Sequence, residues 1–250
     1  MSDAPRIAFF DCETAPSLGY FWGKLFETDI IEIKDAWYLL SYAWKWQGEK
    51  KVHVKALCDY PEYDANLDND FFLVKDLRNL FDEADVLIAH NGDRFDVRKA
   101  QARMVAYSMK PPSRYQTIDT LKAARKYFKF ESNRLNDLGQ YLGIGKKLVH
   151  TGFDLWERTM RGDRKAWAMM KRYNKHDIEL LEKVYEELRP WMTTHPNLEL
   201  FHRPHVGALC PNCQSSHTKR RGTWYNKARK YVQHSCQDCG HWFKGQLIKT

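Results

Sequence analysis

Two patterns in this 250-residue chain could do chemistry, one acidic and one of sulfur. The acidic one starts at Ile7–Thr14, IAFFDCET, where the apolar run Ile7–Phe10 ends in Asp11, Cys12 and Glu13. On a strand, alternation puts Asp11 and Glu13 on one face and Cys12 on the other. Two carboxylates ending an apolar strand are unfavourable unless a cation compensates them. Mg²⁺ or Mn²⁺, hard ions that take oxygen ligands, suit that role. Two further acids have distinctive neighbours: Asp96 in HNGDRFD, after the apolar run Val86–Ala89, and Asp177 in YNKHD. On a helix a four-residue step leaves Tyr173 and Asp177 roughly 40° apart, facing one way, while His176 lies roughly 100° from Asp177. Each acid taken singly also has a plain structural role. Asp11 and Glu13 can end a strand, Asp96 can sit at a helix N-terminus where the dipole favours it, and Asp177 can face water.

The sulfur pattern is Cys210-x2-Cys213 and Cys236-x2-Cys239, four of the six cysteines, with 22 residues between the pairs. Cys12 and Cys58 are isolated. This is the spacing of a four-cysteine zinc ribbon, and paired CxxC units in a reducing compartment imply metal more than disulfides. Gly240, Trp242 and Phe243 fit a knuckle and its following strand. A unit this small has too little core to stand without its metal.

Charge divides the chain at the same place. Residues His205–Thr250 hold eight Lys and Arg against one acid, which is +7 of the net +8, and the rest is near neutral. Between the cysteine pairs, TKRRGTWYNKARKYV mixes bases with aromatics. Basic side chains there would meet phosphates while aromatics stack on nucleobases. Arg220, Arg221, Trp224, Arg229 and Lys230 are the candidate contacts. A ribbon that only docks on protein is the structural alternative. Lys122, Arg125, Lys126 and Lys129 recur at helical spacing and also suit a phosphate backbone or a solvated face.

The elements that must position these residues follow from periodicity. Strands are expected at Ile7–Thr14, Trp37–Trp46, Lys51–Leu57, Val86–Ala89 and Arg114–Ile118. Helices are expected at 70–84, Phe95–Tyr107, Asp119–Phe128 (capped by Asp119), Asn133–Leu142 and Asp163–Leu188. Thr14–Asp35, with Pro16, Gly19 and Gly23, reads as a long connection, and a loop with Gly145 and Gly152 precedes the last helix. The pattern predicts an α/β fold with a mixed sheet. In it the ends of the first and fourth strands can lie side by side, bringing Asp11 and Glu13 near His90–Asp96. The expected organisation is residues 1–192 as one domain, 193–204 as a linker and 205–250 as the ribbon.

In order and flanking residues the acids resemble the DEDD family of 3′–5′ exonucleases. Asp11, Glu13 and Thr14 match the first motif, Asn91, Phe95 and Asp96 the second, and Tyr173 with Asp177 the tyrosine form of the third. The histidine form would need histidine where Arg172 stands. The spacing of the second motif is similar to that of family-B DNA polymerase proofreading domains. The likeness continues through TIDTLKAARKYF (117–128) and NRLNDLGQYLGIGKK (133–147), covering roughly residues 5–190. It implies a ribonuclease-H-like mixed sheet flanked by helices. It also implies two Mg²⁺ or Mn²⁺ held by Asp11, Glu13, Asp96 and Asp177, with Asp11 bridging, beside one structural Zn²⁺ on the four cysteines. Tyr173 would orient the attacking water, and Thr14, Asn91 and Phe95 would place the terminal nucleotide.

The expected function is therefore metal-dependent 3′–5′ phosphodiester hydrolysis, with single-stranded DNA favoured. An RNA exonuclease, a structure-selective endonuclease on the same fold and a weakly active nucleic-acid-binding adaptor are the alternatives. Nucleic acid is the expected partner; protein partners are not legible. No run approaches the ~18 apolar residues of a membrane helix, and MSDAPR lacks the features of a signal peptide. A cytoplasmic protein with no membrane partner is the expectation.

Overall fold

The computed structural model describes residues 5–22, 30–201 and 208–248. Gly23, the 202–204 end of the expected linker and the boundary at 205 lie outside the described residues.

Strand β1 (Ile7–Thr14) is the centre of a five-stranded sheet. β4 (Leu39–Trp46) runs antiparallel beside it, and β5 (His53–Ala56) pairs antiparallel with β4 at the edge. On the other side β6 (Val86–Ala89) and β7 (Gln116–Asp119) run parallel to β1, giving the order β5-β4-β1-β6-β7. This is the mixed sheet that the sequence pattern predicts. Within the expected connection after β1, β2 (Leu18–Tyr20) and β3 (Glu32–Asp35) form a two-stranded ribbon of their own.

Side-chain alternation on β1 sorts the core. Ala8, Phe10 and Cys12 face one layer, packed by α1 (Phe71–Glu83) and α2 (Asp96–Ala106). Ile7 and Phe9 face the other, with α3 (Thr120–Tyr127), α4 (Leu135–Tyr141) and the C-terminal half of α6 (Arg164–Leu188). Continuing the alternation, Asp11 and Glu13 fall on the α6 side. Asp163 caps α6 by accepting from the N–H groups of Lys165 and Ala166, and Asp119 caps α3 in the same way. α5 (Phe153–Met160) lies where the sequence reading placed a loop. It spans eight residues, and Gly152 before it has φ of 69°.

The last unit is a three-stranded antiparallel sheet of β8 (Thr218–Tyr225), β9 (Lys230–Cys236) and β10 (Trp242–Ile248) beside the four cysteines. It is joined closely to the end of α6. The side-chain amide of Asn212 donates to Arg189 O at 2.6 Å, Leu198 N donates to Pro211 O at 2.8 Å, and His241 Nδ1 donates to Pro190 O at 2.8 Å. Leu198, in the stretch read as a linker, is fully buried in the core under α6. Carbonyls at a helix C-terminus need partners from elsewhere, and the cysteine knuckles supply them.

Candidate active site

The carboxylates gather at the C-terminal end of β1. Oxygens of Asp11, Glu13 and Asp177 all lie within 4.8 Å of one another. Asp96 stands beside this triad rather than in it. It begins α2 on the opposite face of the sheet and reaches over the strand end, accepting from Cys12 N at 3.1 Å and Cys12 Sγ at 3.2 Å. The parallel pairing of β1 with β6 brings the two segments together, as the alternation and strand order predict.

The charges raise one another. Burial pushes the Asp11 carboxyl well up, and Asp96, Glu13 and Asp177 add to it. Glu13 is pushed up to about 8, first by burial and then by Asp177. Asp96 is pushed to about 6 by burial, against the Cys12 donors that hold it down. Asp177 is only 1% exposed and is raised by burial, with the neighbouring Lys147 opposing. Its Oδ1 is buried without a hydrogen-bond partner. Crowded, desolvated carboxylates with an orphaned oxygen are what a divalent cation would satisfy, so the residues fit Mg²⁺ or Mn²⁺.

Three side chains that the sequence reading did not assign hold the site in place. Lys147 Nζ donates to Asp177 Oδ2 at 2.5 Å and to the Tyr173 hydroxyl at 3.0 Å. Burial works against its charge, but Asp177 and Asp11 hold it protonated. Asn174 donates to Asp11 Oδ2 at 2.7 Å, and Ser41 Oγ donates to Asn174 Oδ1 at 3.0 Å. Both Ser41 and Asn174 are fully buried, so this relay fixes the Asp11 rotamer. Asn174 sits inside the Tyr-x3-Asp spacing, where only helix orientation distinguishes it from filler. Lys147 ends the stretch 133–147 that carried the resemblance, but nothing local ties it to residues 26 and 30 positions later.

Tyr173 and Asp177 face the same way, as the helical step predicts, and both are buried. The Tyr173 ring is walled by His150 at 4.9 Å and by Trp156 of α5 at 6.1 Å between centroids. His176 turns away and bonds Lys146 O at 2.7 Å. Asn91 adopts φ of 67°, and its N–H donates to Asp119 Oδ1 at 2.9 Å, so the cap of α3 also braces the turn before Asp96. Gly92 is required in that turn, because a Cβ there would lie 2.4 Å from the Ala89 Cβ. Phe95 is exposed at the start of α2, and Thr14 is half-buried at the end of β1.

Residues 26–189 match the model of the RNase H superfamily. The chain belongs to the RNase H superfamily. The matched stretch contains Asp96, Lys147, Tyr173 and Asp177, while Asp11 and Glu13 precede it on the strand to which it is paired. Among solved structures, this RNase H superfamily chain is similar to a family B DNA polymerase from the hyperthermophilic archaeon Pyrobaculum calidifontis. The identity is 14% and the TM-score 0.50, over 92% of this chain and 32% of the polymerase chain. The chain thus spans about a third of the polymerase's length, and the likeness is one of fold. No curated protein matches its sequence.

In the C-terminal unit of this RNase H superfamily protein the four cysteines converge, as their spacing predicts. Cys210 Sγ lies 3.7 Å from Cys239 Sγ, and Cys213 Sγ 3.5 Å from Cys236 Sγ. Tetrahedral zinc with Zn–S bonds of about 2.3 Å sets sulfurs roughly 3.8 Å apart, so the set fits Zn²⁺. Arg220, Arg221, Arg229 and Lys230 are exposed on β8 and β9 or at the turn between them. Trp224 is half-buried, and Lys244 Nζ stands 3.6 Å over its ring, so one indole face is already taken. Among the described residues no helix is long and apolar enough to cross a membrane.

Proposed function

We propose that this protein is a divalent-metal-dependent 3′–5′ exonuclease of the tyrosine type acting on DNA strands. The observation that carries the reading is the convergence of Asp11, Glu13 and Asp177, flanked by Asp96, with the Tyr173 hydroxyl held by the lysine that contacts Asp177. A bound pair of Mg²⁺ or Mn²⁺ supplies an activated water at neutral pH and takes up charge on the attacking and leaving oxygens. Asp11, Glu13, Asp96 and Asp177 are the residues that would hold it. Four carboxylates balance two divalent ions, and Lys147 leaves the loaded site with one positive charge for a phosphodiester. Burial and Asp177 push the Tyr173 phenol well above its usual value, so it stays protonated and orients water by a hydrogen bond. Asn174 keeps Asp11 aimed, while Thr14, Asn91 and the exposed Phe95 ring seat the terminal nucleotide.

The deciding experiment is a time course on 5′-labelled DNA and RNA strands with Mg²⁺ and with Mn²⁺. The reading expects a ladder of progressively shortened labelled products, faster on DNA, and an intact circular single strand. Cutting of the circle would assign an endonuclease, and no cleavage with either ion would assign an adaptor.

The tyrosine has its own test. Tyr173→Phe should slow single-turnover cleavage about tenfold or more, the equivalent of one ~1.5 kcal/mol hydrogen bond. His176→Ala should cost less, because its ring turns away from the carboxylates to the Lys146 carbonyl and Glu179. The reverse order of damage would show that the histidine is the catalytic partner.

We further propose that the cysteine unit binds Zn²⁺ and contacts nucleic acid through its basic strands. Changing Arg220, Arg221, Arg229 and Lys230 to Gln should flatten the dependence of log affinity on log salt. The slope falls by up to ~0.7 per lost phosphate contact on single strands. Measured by titration of long strands, a slope equal to wild type would leave the unit a structural or protein-binding role.

A further inference from the structure

Beside the carboxylate cluster, on the α3–α4 side, lies a cavity of ≈640 Å³. Its wall carries three cations, Arg125, Arg134 and Lys147, against one acid, Glu131. Asn91 and Lys147 belong to this wall and to the site, so the cavity adjoins the carboxylate cluster. Lys147 is committed to Asp177. Arg125, in the last turn of α3, and Arg134, just before α4, are exposed, and among the described residues neither forms an ion pair. Leu121 and Leu135 form an apolar part of the wall, and its polar part includes Asn133, whose Oδ1 is buried without a partner.

A strand that reaches the carboxylates must bring its own negative charges past them. The body outside the cysteine unit is near neutral overall, so local placement of cations decides whether a polyanion can approach. Guanidinium groups bind phosphate oxygens through a planar fork of donors, and those without a protein partner are ready to do so. The volume is that of an ordinary ligand site, about 300–1,000 Å³. On the face beyond α3, by contrast, Lys126 lines a smaller, separate hollow with Thr117 and Tyr127.

We propose that this cavity is a phosphodiester cradle. It seats linkages within about three nucleotides of the scissile bond, with Arg125 and Arg134 as their partners. The assignment rests on the exonuclease reading and adds to it the route by which the strand enters.

The test uses the full chain with Ca²⁺ in place of Mg²⁺, so that binding is read without turnover. Fluorescence anisotropy is measured on a 5′-labelled oligonucleotide carrying one neutral methylphosphonate at each linkage in turn from the 3′ end. Arg125→Gln and Arg134→Gln should each weaken the all-phosphate strand about tenfold or more, as loss of one charge-assisted contact implies. Each loss should vanish when the neutral linkage occupies one particular position among the three nearest the 3′ end, because two changes to one contact are not additive. Additive losses at every linkage, or equal losses with Lys126→Gln, would overturn the cradle. With Mg²⁺ the same variants should raise KM and spare kcat. Coupling without any cleavage would overturn the exonuclease reading and keep the cradle. Cleavage without coupling would do the reverse.

Discussion

Asp11→Asn is expected to lower single-turnover cleavage on the order of 10³-fold or more while leaving the metal-free protein at least as heat-stable as wild type. The loss follows from position. Asp11 is the one carboxylate aimed by a buried relay, Ser41 to Asn174 to Asp11, and it faces both Glu13 and Asp177. An asparagine there keeps the shape and removes the anionic ligand. The stability follows from electrostatics. Burial and three neighbouring acids disfavour the Asp11 charge, so without a cation the cluster works against folding. The sign is that of an acid whose folded pKa is raised. Its destabilising contribution is absent at low pH and develops as pH rises above the unfolded value. At neutral pH, neutralising Asp11 relieves it. Mn²⁺ should then raise the wild-type melting temperature and raise that of the variant less. Melting curves with and without Mn²⁺, run beside a single-turnover assay, check both halves. Wild-type turnover in the variant would remove Asp11 from the metal site.

Removing the metal from the four-cysteine unit is expected to reach beyond that unit. A chelator strong enough to strip Zn²⁺ should abolish hydrogen-exchange protection across residues 208–248, because the sulfurs and a core of Cys210, Cys236 and Phe243 leave little else to hold it. It should also loosen the end of α6. Asn212 and His241 hold the Arg189 and Pro190 carbonyls, and each lies next to one of the four clustered cysteines or within two residues of one. Arg189 is drawn to the same cluster. Burial disfavours its charge, but Tyr185, Glu186 and the Cys213 and Cys239 sulfurs keep it protonated. Three lost hydrogen bonds, with Leu198 N to Pro211 O as the third, at about 1 kcal/mol each correspond to a fall of about 6–12 °C in the melting temperature of the catalytic body. Exchange should rise in residues 185–192 and stay unchanged in β1. If 185–192 keeps full protection after chelation, the cysteine unit is an independent appendage.

Much of this protein was legible in the chain itself. The apolar run Ile7–Phe10 and strand alternation determined that Asp11 and Glu13 share a face. The four-residue step determined that Tyr173 and Asp177 share one, and the CxxC spacing determined the sulfur cluster. These are local rules with short periods, and the sheet order they imply, β1 beside β6, brought Asp96 to Cys12. What only the tertiary structure decided are the partners separated by long stretches of chain. Lys147 meets Asp177, Ser41 meets Asn174 across 133 positions, and Asn212 reaches the end of α6. No periodicity relates such pairs, because their contact depends on how helices cross a sheet and where a small unit docks. Asp96 shows the same division. Its presence at the site follows from sequence. Its place beside the triad follows from α2 lying on the opposite face of the sheet, so that its carboxylate must reach around the end of β1.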